Sequence, residues 1–186
     1  MPQERSENFF TELLKFLALA ALIVLPVRFF VAQPFIVSGA SMEPTFKNGE
    51  YLIVDELTYR LEEPSRGDVV IFRYPRDPSE FFIKRVIGLP NETVYLEDGR
   101  VSVRDSSGYL MELQEPYVRH QSDGGAAAFV LGNGEYFVMG DNRPESSDSR
   151  VWGVLDRDKI VGRAFLRLLP VDTISVLPGS TRYQEE

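Results

Sequence analysis

A serine in a tight turn and a lysine in a β-type segment are the residues of this chain that could combine into a catalytic site. Ser41 lies within residues 38–45, Ser-Gly-Ala-Ser-Met-Glu-Pro-Thr, where glycine and proline indicate a turn. A serine hydroxyl is a weak nucleophile until a base takes its proton. The chemistry of Ser41 therefore depends on the base that the chain supplies.

Two side chains could act as that base. His120 is the single histidine of the chain, and its polar surroundings predict a solvated loop. A Ser/His/Asp triad would require this loop to fold back onto Ser41. The alternative is a lysine whose pKa is lowered by burial or by a like charge. Lys84 fits that description best.

Lys84 belongs to residues 81–88, Phe-Phe-Ile-Lys-Arg-Val-Ile-Gly, a run typical of a β-strand. Because side chains alternate across a strand, Lys84 shares a face with Phe82 and Val86 and should lose its hydration. Arg85 adds a neighbouring positive charge that would lower the pKa of Lys84 further. Taken alone, a lysine in such a strand more often snorkels from a half-buried position than acts as a base. Its combination with the Ser41 turn favours a Ser/Lys dyad.

Four segments of the chain resemble the type I signal peptidases, membrane-bound Ser/Lys proteases that remove signal peptides from exported preproteins. They are residues 41–45 (Ser-Met-Glu-Pro-Thr), 66–72 (Arg-Gly-Asp-Val-Val-Ile-Phe), 84–88 (Lys-Arg-Val-Ile-Gly) and 140–153 (Gly-Asp-Asn-Arg-Pro-Glu-Ser-Ser-Asp-Ser-Arg-Val-Trp-Gly). They occur in the family's order. The resemblance implies that Ser41 attacks the substrate carbonyl, that Lys84 is the general base, and that an acyl-enzyme forms.

The resemblance also implies supporting roles. Ser146 stands where the family uses a hydroxyl to orient the lysine, and Asp148 where it uses a carboxylate to support the site, although both are also common turn residues. The backbone N–H of Ser41 is one candidate oxyanion donor. One branch of the family has a serine two positions before the nucleophile as a second donor. This chain has Gly39 there, which leaves the completion of the oxyanion hole open.

The substrate implied by the resemblance is a signal peptide cut after an Ala-x-Ala sequence. In an extended peptide, the residues one and three positions before the cut point to the same side. We expect Met42, Phe35 and Ile36 to form an apolar wall that accepts only small side chains there.

Composition excludes several other classes of site. The net charge of −8 argues against a nucleic-acid partner, because phosphate binding needs concentrated lysine and arginine. With no cysteine and one histidine, a catalytic metal would need several carboxylate ligands. We therefore expect no metal and no cofactor.

Residues 13–32 are mostly apolar and, as a helix, would be about 30 Å long, the thickness of a bilayer core. We expect a transmembrane anchor in the lipid bilayer, preceded by a short tail at residues 1–12. A cleavable signal peptide is disfavoured by Glu12 and by the lack of a small-x-small site near Ala32. A buried core helix remains an alternative, since the uninterrupted apolar run covers only residues 16–27. The resemblance implies a single-pass protein of the cell membrane with an extracytoplasmic catalytic domain.

The rest of the chain predicts a mainly β fold. Short strand-like runs occur at residues 35–38, 51–54, 68–74, 81–87, 136–139 and 159–168, and Asp98-Gly99 predicts a hairpin between residues 93–97 and 100–104. We place the catalytic β domain at residues 33–104 and 135–178, a variable insertion at 105–134 and a C-terminal tail at 179–186. The resemblance implies a β-sheet core with the insertion as a small lobe.

Two other functions have to be weighed. A self-cleaving repressor shares Ser/Lys chemistry, but it would carry a DNA-binding helical domain where this chain has its apolar segment. A membrane-tethered β module without activity would be expected to have lost Ser41 or Lys84, and both are present.

Overall fold

The computed structural model describes residues 9–30, 32–120 and 125–183. Helix α1 (Phe9–Phe30) comes first, and two short helices, α2 (Thr58–Leu61) and α3 (Ser149–Trp152), lie among the strands. The strands are β1 (Ala32–Ile36), β2 (Tyr51–Asp55), β3 (Val69–Tyr74), β4 (Asp77–Gly88), β5 (Thr93–Glu97), β6 (Arg100–Arg104), β7 (Leu110–Glu112), β8 (Ala127–Val130), β9 (Glu135–Met139), β10 (Leu155–Asp156), β11 (Ile160–Leu169) and β12 (Ser175–Val176). The predicted mainly β fold is confirmed.

The larger sheet has eight strands in the order β1-β2-β11-β3-β4-β9-β10, with β12 on β11. All of its pairs are antiparallel. Strand β4 pairs with β3 on one side, where Lys84 faces Val70, and with β9 on the other, where Arg85 faces Met139. Because β4 is an interior strand, its C-terminal half is buried, and this half carries Lys84.

The smaller sheet has four strands in the order β7-β6-β5-β8. Its centre is the predicted hairpin, in which Thr93 pairs with Arg104 and Glu97 with Arg100. Asp98 and Gly99 both have positive φ, as a two-residue hairpin turn requires. The sequence places this hairpin in the catalytic domain, but its partners β7 and β8 come from the predicted insertion. The small lobe therefore begins at about residue 93 instead of 105. Residues 121–124 of the insertion lie outside the described residues.

Three clusters of buried apolar side chains form the core. The first lies under the Ser41 turn and contains Val37, Met42, Phe46, Leu52, Val54, Val69, Ile71 and Ala164. The second packs around β3 and β9, and the third joins the two sheets through Ile87, Phe137 and Met139. The turn that carries Ser41 is thus anchored directly in the core.

Helix α1 overlaps most of the segment predicted as a membrane anchor. No helix in the part of the chain that the structure describes combines the length and the apolarity that a membrane span needs. The transmembrane role expected for residues 13–32 is therefore not confirmed by the structure.

Candidate active site

The structure brings Ser41 and Lys84 into direct contact, although they are 43 positions apart in sequence. The Nζ atom of Lys84 lies 2.8 Å from the Oγ atom of Ser41. Nζ also donates a hydrogen bond of 2.8 Å to the carbonyl oxygen of Ile83. His120, the other candidate base, is exposed to solvent. The base within hydrogen-bond reach of Ser41 is therefore Lys84.

Burial changes the acidity of Lys84. Its side chain is 4% exposed, and this loss of hydration lowers its pKa from 10.5 to about 8. The carboxylates of Asp148 and Asp141 oppose the shift, because negative charges favour the ammonium form. The expected contribution of Arg85 is not found. Its guanidinium is neutralised by a buried ion pair with Asp141, at 2.6 Å.

The turn around Ser41 is held by the segment that follows β9. The backbone N–H of Asn142 donates to the carbonyl oxygen of Ser41 at 3.0 Å, and the Asn142 side chain donates to the carbonyl oxygen of Ala40 at 3.1 Å. Gly140 lies so close that a Cβ atom there would be 2.4 Å from the Ser41 carbonyl oxygen. A glycine is thus required at position 140 for the two segments to meet.

Gly39 has φ of +91°, a backbone conformation that favours glycine. Its N–H donates to the side-chain oxygen of Asn48 at 2.9 Å. Because this N–H is already engaged and glycine has no side chain, Gly39 does not replace the serine that serves as oxyanion donor in one branch of the family resembled. The backbone N–H of Ser41 remains a candidate donor.

The two predicted supporting residues lie next to the pair but differ in their contacts. Ser146 is buried, and its Oγ atom has no hydrogen-bond partner among the described residues. The hydrogen bond from Lys84 to Ser146 that the resemblance implies is therefore not made. Asp148 is fully buried and accepts hydrogen bonds from the Gly140 N–H at 3.0 Å and from the Arg150 guanidinium at 2.8 Å. Asp148 thus holds Gly140 in place behind Ser41.

A cavity of about 550 Å³ opens beside the dyad. Five of the predicted site residues line it, namely Phe35, Ile36, Gly39, Ser41 and Lys84. Met42 does not. Its side chain is 1% exposed and packs in the first core cluster, because the turn directs it inward while Ser41 points outward. The structure therefore places Met42 beneath the cleft instead of in its wall.

Sequence reasoning missed the residues that connect the two halves of the site. Asp141 accepts hydrogen bonds both from Arg85 on β4 and from Thr45 in the Ser41 turn, the latter at 2.5 Å. Asp141 and Asn142 lie in one of the four segments that carry the family resemblance. Their position in this segment indicated that the two residues belong to the site, but it did not indicate which residues they contact. Among the described residues, no group of histidine, aspartate and glutamate side chains is arranged to hold a metal ion.

Comparison with known proteins shows the family to which the chain belongs. The family model described as signal peptidase, peptidase S26, matches residues 10–169. A probable signal peptidase I-1 of Synechocystis sp. is 38% identical over 88% of this chain and 84% of its own length. Signal peptidase I of Bacillus licheniformis is 31% identical over 94% of this chain and 98% of its own length. A crystal structure of a signal peptidase I from Enterococcus faecalis matches 55% of this chain and 97% of its own at 29% identity, with a TM-score of 0.46. From the family model and the relatives, the chain belongs to the signal peptidase family, peptidase S26, and to the serine endopeptidases of the signal peptidase I type.

Proposed function

We propose that this protein removes signal peptides from exported preproteins with Ser41 as nucleophile and neutral Lys84 as general base. The observation that carries the proposal is the distance of 2.8 Å between the Lys84 Nζ and Ser41 Oγ atoms, together with the burial that lowers the pKa of Lys84 to about 8. A lysine with this pKa has a neutral fraction near pH 7 that is large enough to take a proton.

The reaction proceeds in two stages. Lys84 takes the proton of the Ser41 hydroxyl while the Ser41 Oγ atom attacks the carbonyl carbon of the scissile peptide bond. The backbone N–H of Ser41 stabilises the negative charge that forms on the carbonyl oxygen. The peptide C–N bond then breaks, and Lys84 gives its proton to the departing amine. In the second stage Lys84 takes a proton from water, the resulting hydroxide attacks the ester, and the returning proton restores the Ser41 hydroxyl. The signal peptide leaves as a free carboxylate.

The floor of the cavity supports a preference for small residues before the cut. Val37, Leu52 and Ile71 line the cavity and are at the same time buried in the first core cluster. A substrate side chain that reaches this floor meets close-packed core atoms, and displacing them would cost about 1–3 kcal/mol. Alanine requires no such displacement, so we infer cleavage after Ala-x-Ala.

Membrane anchoring through residues 13–32 is the remaining part of the proposal. It is supported by the apolar sequence and by the exposed side chains of α1, of which Phe10, Leu14 and Leu22 are 79%, 68% and 71% exposed. Large apolar side chains around a helix favour a non-aqueous environment. A single span followed directly by β1 would hold the Ser41 cleft near the outer surface of the bilayer, where a membrane-held signal peptide presents its cleavage site.

Two substitutions test the dyad. Ser41→Ala removes the nucleophile, and Lys84→Met removes the base while keeping a similar side-chain length, so each should abolish cleavage of a reporter preprotein by the purified protein. His120→Ala and the exposed Lys47→Met are controls that should keep wild-type activity. A large loss of activity in the His120 variant would refute the Ser/Lys assignment.

Deleting residues 1–30 tests the anchor. Processing of a precursor embedded in lipid vesicles should fall much more than cleavage of a short soluble peptide, because only the first reaction depends on localisation. Equal losses on both substrates would show that the segment belongs to the fold and is not an anchor.

A further inference from the structure

The segment 177–183, which we call the C-terminal strap, packs against the domain, whereas the sequence predicts a tail from residue 179. The N–H of Leu177 donates to the carbonyl oxygen of Phe165 on β11 at 2.7 Å. The N–H of Thr181 donates to the carbonyl oxygen of Gly67 at 3.4 Å. Tyr183 packs against the third core cluster. The strap is thus held at both of its ends.

The strap supplies acceptors to the guanidinium of Arg85, the residue directly after Lys84. Arg85 is fully buried, and its Nη1 atom donates to the carbonyl oxygen of Gly67 at 3.0 Å and, within the strap, to the carbonyl oxygen of Gly179 and, at 3.3 Å, to the Oγ1 atom of Thr181. The Nε and Nη2 atoms donate to Asp141 at 2.9 and 2.6 Å. A buried guanidinium is stable only where its N–H groups have acceptors. The strap therefore completes the shell that keeps Arg85 in contact with Asp141.

Asp141 and the residue after it also contact the turn that carries Ser41. Asp141 accepts a hydrogen bond from Thr45, four positions after Ser41, and the next residue, Asn142, donates its N–H to the Ser41 carbonyl oxygen. The pair of Arg85 and Asp141 thus connects the strand of Lys84 to the turn of Ser41.

The backbone of the strap is pressed against the same turn. A Cβ atom on Gly179 would lie 2.5 Å from Cγ2 of Thr45 and 3.1 Å from Cε2 of Phe46. On the other side, a Cβ atom on Gly67 would lie 1.9 Å from the carbonyl oxygen of Thr181. Glycine at 67 and 179 lets the strap fit between the Ser41 turn and the loop before β3.

We propose that the C-terminal strap is a positioning element of the catalytic pair, which keeps Arg85 on Asp141 and so fixes the Lys84 strand relative to the Ser41 turn. The inference rests on the proposed Ser/Lys function. The strap is not part of the lining of the cavity beside Ser41. It should therefore influence kcat and leave KM for a soluble peptide nearly unchanged.

The strap should also influence the pH dependence of the reaction. Asp148 and Asp141 both act on Lys84 in the direction of a higher pKa, and they are paired with Arg150 and Arg85 respectively. The titratable groups that act on Arg85 are Asp141, Tyr117 and Tyr183, and the Tyr117 ring lies 3.8 Å from its Cζ atom. If Arg85 moves away from Asp141, the uncompensated carboxylate raises the pKa of Lys84. Less neutral base is then present at pH 7.

Two variants and one matched control test the proposal in the full chain. Gly179→Ala introduces the contact with Thr45, and Thr181→Val removes one acceptor of Arg85 without a change of shape. Gly134→Ala is the control, because Gly134 has the same φ of +73° as Gly179 but its Cβ would meet nothing closer than 3.9 Å. Cleavage of a soluble peptide is measured from pH 6 to 10, with the folded fraction determined by circular dichroism.

We expect Gly179→Ala to raise the apparent pKa of the rate by about one unit and to lower kcat at pH 7 about tenfold, with a smaller change in the same direction for Thr181→Val. KM should stay within about twofold, and Gly134→Ala should match the wild type. The proposal is overturned if the strap variants only melt at lower temperature, keep the wild-type pH profile per folded molecule, or change KM alone. Ser41→Ala and Lys84→Met are measured in the same assay, so that failure of the strap proposal can be distinguished from failure of the Ser/Lys proposal. Activity in either of these two variants would refute the Ser/Lys dyad itself.

Discussion

Lys84→Met should make the protein more stable at neutral pH while it abolishes catalysis. A buried ammonium is costly, and the lowering of the Lys84 pKa from 10.5 to about 8 measures that cost. At about 1.4 kcal/mol per pKa unit, it corresponds to roughly 3 kcal/mol of destabilisation at pH 7, where lysine is protonated in both the folded and the unfolded chain. Methionine carries no charge and removes the cost. It also loses the hydrogen bonds to Ser41 and Ile83, each worth about 1 kcal/mol, so the net gain is about 1–2 kcal/mol.

The pH dependence of this gain in stability is a more specific test of the Lys84 pKa than the gain at pH 7 alone. Between about pH 8 and 10.5 the folded wild-type protein binds fewer protons at Lys84 than the unfolded chain does, so its stability rises with pH across this window. The advantage of the Lys84→Met variant should therefore shrink by about 2 kcal/mol between pH 7 and pH 10. Other ionisable groups are present in both proteins and cancel in the difference.

Urea denaturation of both proteins at pH 7 and pH 10 measures these quantities, with the exposed Lys47→Met variant as the control that should show no such change. A variant that is less stable than the wild type at pH 7, or whose advantage does not change with pH, would refute the conclusion that burial lowers the pKa of Lys84.

Three further predictions concern activity. The catalytic rate should rise with pH to a plateau with an apparent pKa of about 8, because only neutral Lys84 is a base, and a plateau reached already below pH 6 would point to a carboxylate instead. Replacing the substrate alanine immediately before the cut by phenylalanine should block cleavage more than the same change two positions before the cut, as measured on matched peptides; equal effects would contradict the proposed cleft floor. Gly140→Ala should lower kcat strongly, because the new Cβ would lie 2.2 Å from Ser146 Oγ and 2.4 Å from the Ser41 carbonyl oxygen, whereas Gly125→Ala, with nothing within 4 Å, should behave as wild type. Unchanged kcat in the Gly140 variant would show that the turn tolerates displacement.

The smaller lobe shows where prediction from sequence ended. Residues 93–104 could be assigned to a hairpin because Asp98-Gly99 and the flanking β-type residues are local signals. Which sheet the hairpin joins is a long-range property. Strands β7 and β8 are short and come from a segment rich in glycine, serine and alanine, whose composition gives little indication of a strand.

The sequence by itself singled out the serine and the lysine that the structure brings into contact, and it predicted the main strands. A serine in a turn and a lysine within an apolar β-run are local patterns, and the alternation that removes Lys84 from water follows from strand geometry. Only the tertiary structure decided which charges surround them. Arg85 lies beside Lys84 in sequence, yet it does not lower the pKa of that lysine, because it pairs with Asp141, 56 positions away. Burial alone lowers the pKa of Lys84. The same packing directs Met42 into the core and the strap onto Arg85. Such contacts depend on how distant segments satisfy buried charge and fill space, and no local pattern of residues records this.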